Sequence, residues 1–265
     1  MPSTELLIAI ACVFASALGV LVVRRWVPLE KLVEHHEVAG VCFAVVGGLY
    51  GIILAFVLVS SWERYETARS QTEVEASAVA DLFRHGEAFS EPTRSHLKSA
   101  VMMYAQSVID DEWPAMESGH SSEATQERYF AIWKVMTGAR PTEGWEIALY
   151  QNSLDKLDAF ADARRNRMFY LESGLPDVIW TFLIAFGVAT VGFTYFFGMP
   201  RLAPQVLITL VLAATIVWTL ALVHETQTPF SGDLRVSDRA FRVALAFMKH
   251  QAVQNDDAPS GAASS

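Results

Sequence analysis

The sequence predicts an all-α integral membrane protein with four transmembrane helices and a cytoplasmic helical domain between the second and third. Three observations predict it. About half of the 265 residues are apolar, and they are gathered into four uncharged runs at residues 6–23, 38–61, 178–198 and 206–223. Each run is close to the roughly 20 residues a helix needs to cross the hydrocarbon of a bilayer. Between the second and third runs charge returns, aliphatic residues recur at helical spacing, and no alternating strand pattern is present.

The first run follows Glu5 and is followed at once by Arg24 and Arg25, the reverse of a secretory signal's charge order, so it is read as a span. Residues 52–60 and 207–219 are apolar on every face, whereas a core helix of a water-soluble protein is amphipathic. Cys12 and Cys42 both fall inside spans, where a lone thiol behaves as a small hydrophobe. Pro28 and the pair His35 and His36 lie in the first connection. Adjacent histidines do not share a helix face, so this is read as an interfacial loop rather than a metal site. Gly47, Gly48 and Gly51 sit within the second span, where small residues permit close helix packing.

That span passes into a charged helix running from Trp62 through Ala68, Ala76, Val79 and Leu82 to near Phe89. Pro92 fits the first turn of the next helix, with Ser90 as its cap and Leu97, Val101, Tyr104 and Val108 as its apolar face, ending near Met116. The consecutive acids Asp110, Asp111 and Glu112 point in different directions and lack the spacing of a calcium loop, so they are read as a solvated helix end. A short helix holding Tyr129, Phe130, Trp133 and Met136 closes at Gly138 and Pro141. The last helix of the domain starts after Thr142 and runs toward Pro176. Residues 199–204 join the third and fourth spans so briefly that these must be antiparallel neighbours. The resulting division is spans in 1–61 and 176–224, a domain in 62–175, a C-terminal segment in 225–253, and a disordered tail in 254–265.

An even number of spans puts both termini and the domain on one side. Arg64, Arg69, Arg164, Arg165, Arg167, Arg235, Arg239 and Arg242 lie there, against Arg24, Arg25, Lys31 and Arg201 opposite, so the positive-inside rule makes that side cytoplasmic. A net charge of −9 without a basic cluster argues against a nucleic-acid partner. There is no HExxH helix, CxxC pair, phosphate-cradling loop or GxSxG elbow in the sequence. The expectation is a chain that is not an enzyme, with no cofactor and no metal.

Two stretches resemble the bestrophin family of ion channels, and more closely its bacterial members: residues 62–69, WERYETAR, where the second span ends, and residues 223–233, VHETQTPFSGD, after the fourth. The resemblance implies a homo-oligomer, a pentamer, in the bilayer of the bacterial inner membrane, passing inorganic ions passively through a central pore lined by the second span. Placing Trp62, Tyr65 and Glu66 on the family's pattern puts the neck positions at Ala44, Gly48 and Ile52. Two of these are small, whereas a dewetting gate needs bulky apolar rings, so Ile52, Phe56 and Val59 form an alternative gate. Trp62, Tyr65, Glu66 and Arg69, and beyond the fourth span Glu225, Pro229, Phe230 and Asp233, are the interface and gating candidates. The calcium clasp of animal members needs a run of acids after Pro-Phe, but here Pro229 and Phe230 are followed by Asp233 alone and then Arg235, so no clasp is expected. Residues 62–175 hold more acids than bases, which favours cations if those groups face the lumen; the sign of the ion stays open. The competing reading is a non-conducting membrane scaffold or sensor whose helical domain binds a partner. Small neck residues and the absence of intramembrane charge support it.

Overall fold

The computed structural model describes residues 3–34, 36–141 and 144–256, and among these it contains helices and no strand. The chain divides into two compact units. The pair His35 and His36 has its first member outside the described residues.

The first unit comprises Met1–Tyr65, Gly174–Thr228 and Gly232–Leu234. It contains helix α1 (Ser3–Trp26), the short α2 (Leu29–Glu34) and the N-terminal part of α3 (His36–Gly86). α8 (Asp177–Phe193), a 3₁₀ turn (Thr194–Phe196) and α9 (Leu202–Gln227) complete it. α1, α3, α8 with its 3₁₀ turn, and α9 are long and apolar enough to cross a membrane. A helix suits that setting because it satisfies its own backbone groups where no water can. Tyr50 and Leu54, one turn apart on α3, are buried with Leu183 of α8 and Ile216 of α9. The turn between α8 and α9 is closed by polar groups: Gln205 Nε2 donates to the Thr194 carbonyl at 3.2 Å, and the Thr194 and Thr209 hydroxyls lie 2.9 Å apart. Arg24, at the end of α1, donates from Nε to Gln205 Oε1 at 2.9 Å and from its terminal nitrogen to the Met199 carbonyl. Close packing expected at three glycines of the second span occurs only at Gly47, where an added Cβ would lie 3.6 Å from Thr190 Cγ2; Gly48 and Gly51 have open space. Closer approaches lie at other glycines: a Cβ at Gly19 would come within 2.5 Å of the Tyr195 side chain, and one at Gly198 within 2.5 Å of the Val33 backbone nitrogen.

The second unit comprises Glu66–Ser173, Pro229–Ser231 and Arg235–Ser265. It takes in the rest of α3, α4 (Thr93–Ser107), a π-helical turn (Val108–Glu112), α5 (Trp113–Glu117), α6 (Glu123–Gly138), α7 (Gly144–Glu172) and α10 (Arg239–Asp256). Its core is built from faces of three-and-four spacing: Leu97, Val101 and Tyr104 on α4, Val79, Leu82 and Phe83 on α3, Leu157 and Phe160 on α7, and Phe241, Leu245 and Met248 on α10. The wide turn has a local cause. Pro114 brings no N–H and its ring crowds the carbonyl four residues back, and the Trp113 N–H bonds to the Val108 carbonyl, five residues back.

Several boundaries differ from the sequence reading. α3 stops at Gly86, three residues short of Phe89, and Pro92 occupies the cap position of α4 without a side-chain cap. Ser90 contributes its carbonyl, accepting from Arg94 N at 3.2 Å, rather than its hydroxyl. Residues 254–256, read as tail, continue α10; the remainder of the tail, and the Thr142 start of the last domain helix, lie outside the described residues.

Candidate ion pathway and a buried charge network

An apolar helix does not reveal in sequence which face packs. In the structure, Tyr50, Leu54, Ser61 and Tyr65 are buried on one side of α3, while Ala44, Gly48, Ile52, Phe56 and Val59 are exposed on the other. The large ones are far out of contact: Ile52 is 56%, Phe56 69% and Val59 54% exposed. All five pore-lining candidates therefore fall on one uncovered stripe of the chain.

Trp62 and Tyr65 stack in a tilted pair with ring centres 5.6 Å apart, Trp62 half exposed and Tyr65 buried. Arg69, one turn beyond Tyr65, does not join it. Arg69 is exposed and reaches Glu73 at 3.3 Å and Glu66 at 3.9 Å along its own helix. Ion pairs this exposed contribute less than about 1 kcal/mol.

The candidates after the fourth span form two clamps, one in each unit. In the first unit, the buried Glu225 accepts through Oε2 from the backbone N–H groups of Asp233 and Leu234 at 3.1 and 3.3 Å. Gly232 makes this possible, because its φ of +79° suits glycine and a Cβ there would lie 2.6 Å from Glu225 Oε2. Gly232→Ala is expected to lose about 1–2 kcal/mol of stability through the left-handed backbone alone, read as a lowered melting temperature of the detergent-purified protein. An unchanged melt would show that residue 232 does not hold the left-handed backbone on which the loop is built. In the second unit, Phe230 is buried edge-on to Trp113, with ring centres 5.9 Å apart. The Pro229 carbonyl accepts from Val236 N at 2.7 Å, and Trp113 Nε1 donates to the Val236 carbonyl at 3.2 Å. The carboxylate of Glu117 pairs with Arg235 at 3.0 Å.

The least expected arrangement lies in the core of the second unit. Arg167 of α7 donates to both oxygens of Glu75 on α3, at 2.6 and 2.9 Å, and to Glu112 of the π turn at 2.8 Å. Arg164 forms a two-pronged pair with Glu112 at 2.7 and 2.9 Å and donates to the Tyr104 hydroxyl at 2.8 Å. Tyr104 in turn donates to Glu75. Both guanidinium groups lie over rings, Arg167 at 5.4 Å from Trp113 and Arg164 at 5.4 Å from Tyr129. Two carboxylates and two guanidinium groups balance, and all four side chains are buried. Burial pushes the Glu112 carboxyl up, but Arg167 and Arg164 outweigh it and hold the group below the usual carboxylate range. Burial, reinforced by Glu75, pushes the Tyr104 hydroxyl well above its ordinary value.

Sequence reasoning read Glu112 as part of a solvated helix end and counted Arg164 and Arg167 among charges flanking the membrane. Both readings are corrected. Asp110 and Asp111 are exposed, but Glu112 turns inward, and the two arginines spend their charge on buried partners. A signal was available: Arg164 and Arg167 continue the buried series Ser153, Leu157, Phe160 at three-and-four spacing, and Glu112 continues Leu97, Val101, Tyr104, Val108. Charges in phase with an apolar face require partners on the facing helices.

A family profile described as a Bestrophin-like domain matches residues 10–241. The chain is similar in fold to solved structures of variants of a bacterial bestrophin homolog from Klebsiella pneumoniae. One has 13% identity and a TM-score of 0.69, covering 94% of this chain and 99% of that one. Another has 13% identity and a TM-score of 0.70, covering 91% and 99%. A third structure, described only as a membrane protein, has 16% identity and a TM-score of 0.71 over 91% and 98%. A comparison with curated proteins finds no match.

Proposed function

The chain belongs to the bestrophin-like family, and from that premise we propose that it forms an oligomeric ion channel of the bacterial inner membrane, passing ions passively through a central pore lined by α3. The observation that carries this reading is the uncovered stripe of Ala44, Gly48, Ile52, Phe56 and Val59, opposite the face that Tyr50 and Leu54 bury. In a closed ring of copies, pentameric by the family resemblance, such a stripe facing the axis becomes a stack of rings. Rings of Ile52, Phe56 and Val59 are bulky and apolar enough to gate by dewetting. The termini and the second unit are cytoplasmic in this reading. With Arg164 and Arg167 set aside, Arg64, Arg69, Arg165, Arg235, Arg239 and Arg242 still outnumber Arg24, Arg25, Lys31 and Arg201.

The test is flux of chloride, sodium and potassium from liposomes holding the purified oligomer, beside Ile52→Ala. Flux whose rate or ion preference changes in the variant supports a pore lined by this stripe. No flux at any pH, calcium level or voltage, from folded oligomeric protein, would sink the channel and favour the scaffold or sensor.

A further inference from the structure

Two helices of the second unit turn uncovered stripes of opposite charge away from their core. α10 packs through Phe241, Ala244, Leu245 and Met248. At about 100° per residue, the opposite side of that helix carries Arg239, Val243, Ala246, His250 and Val253, all exposed, Val243 by 61% and Val253 by 60%. Lys249, exposed too, borders the stripe. α7 packs through Ser153, Leu157 and Phe160, and its opposite side carries Asp155, Asp158, Asp162 and, two turns on, Phe169, again all exposed. Asp162 pairs with Arg165. Among the described residues, Asp155 and Asp158 pair with no cation and Arg239 with no carboxylate. Phe160 and Phe241 both meet the Tyr104 ring edge-on, at 5.0 and 6.4 Å between centres. Both helices therefore cover one core, and their outer stripes face away from it and do not meet within one copy.

From this pairing of opposites we infer that a second copy of this chain covers both stripes, α10 of one copy docking on α7 of the next. The inference rests on the oligomeric reading above and names the contact that closes the ring. A ring generated by rotation joins each copy to its neighbours through two different faces, which must complement each other rather than themselves. A basic stripe and an acidic stripe on one chain meet that requirement, whereas either stripe set against its own copy brings like charges together at a cost. Exposed valines beside charges that lack partners have the composition of an interface, apolar at its centre and polar at its rim. Docking gives Asp155 and Asp158 the cations of Arg239 and Lys249, and takes Val243 and Val253 out of water.

The experiment is light scattering on the detergent-purified full chain over a dilution series, for wild type and three variants. The first joins Arg239→Glu with Lys249→Glu, the second joins Asp155→Lys with Asp158→Lys, and the third carries all four changes. Reversing either stripe should raise the concentration at which the oligomer half-dissociates by roughly a hundredfold. The fourfold variant, whose charges are exchanged, should recover most of that loss, which a variant that merely misfolds would not do. Melting curves establish that each variant keeps its fold. An oligomer that withstands either reversal, or a loss that the fourfold variant does not recover, overturns the inference while leaving the oligomer intact. A monomeric wild type overturns the oligomeric reading itself, and the inference with it.

Discussion

Replacing Arg167 with methionine should cost about 3–5 kcal/mol of stability, the range for removing one partner of a buried ion pair. Arg167 is fully buried and is the only residue of its network that bonds both carboxylates, Glu75 and Glu112. Methionine keeps much of the volume, so the loss reports charge rather than a cavity. Glu112 retains Arg164, but Glu75 is left with only the Tyr104 hydroxyl among its described partners. Two comparisons separate this from a general sensitivity of the fold. Arg69→Ala removes an arginine with two carboxylate neighbours, yet both contacts are exposed, and the expected change is below about 1 kcal/mol. The pair Arg167→Met with Glu75→Gln should lose less than the sum of the single changes, because the second removes the charge that the first strands. Chemical denaturation of the detergent-purified protein, followed by far-ultraviolet circular dichroism, measures all four. A loss of less than about 1 kcal/mol in Arg167→Met would mean that water reaches the network and that the burial is not what the geometry describes.

The contrast between these two arginines also marks the boundary of what the sequence discloses. The four spans are legible because all-round apolarity over some 20 residues has one stable setting, and the order of the domain helices is legible because their apolar faces keep a three-and-four period. Facing within an apolar helix is not legible in that way. Tyr50 and Leu54 pack while Ile52 and Phe56 do not, and their composition gives no reason to choose between them. The positions that the family register names lie on the uncovered stripe, whereas the spacing of Glu66, Arg69 and Glu73 shows an ion-pair series along the helix and not which face it shares with the apolar residues before it. Glu112 and the two α7 arginines were misread for a related reason. A charge was assigned to solvent by its type, although its phase placed it among buried neighbours on three other elements. The spacing also leaves hidden that in the loop after the fourth span Glu225 holds backbone N–H groups and Phe230 packs on Trp113.

The same network should give the protein a stability plateau with an acid edge. Glu112 has a folded pKa below its unfolded value, since the arginines outweigh the burial that opposes its charge. Such a group adds stability above the unfolded value, near 4.3 for a glutamate, and that contribution is lost as pH falls through the folded value. Tyr104 runs the other way: its folded pKa lies above its unfolded value near 10, so its contribution is complete below that value and is lost in strong base. Between these edges neither group changes protonation. The contribution of these two groups to the unfolding free energy should therefore be flat from about pH 5 to 9 and fall below about pH 4, the total lost amounting to roughly 1.4 kcal/mol for each unit by which folding depresses the Glu112 pKa. Glu112→Gln removes the titrating carboxyl while keeping its shape. It should lower the plateau, because two arginines lose a charged partner, and should make the acid edge shallower. If the edge keeps its slope in Glu112→Gln, acid lability originates in other carboxylates, and the buried network supports the fold without sensing protons in that range.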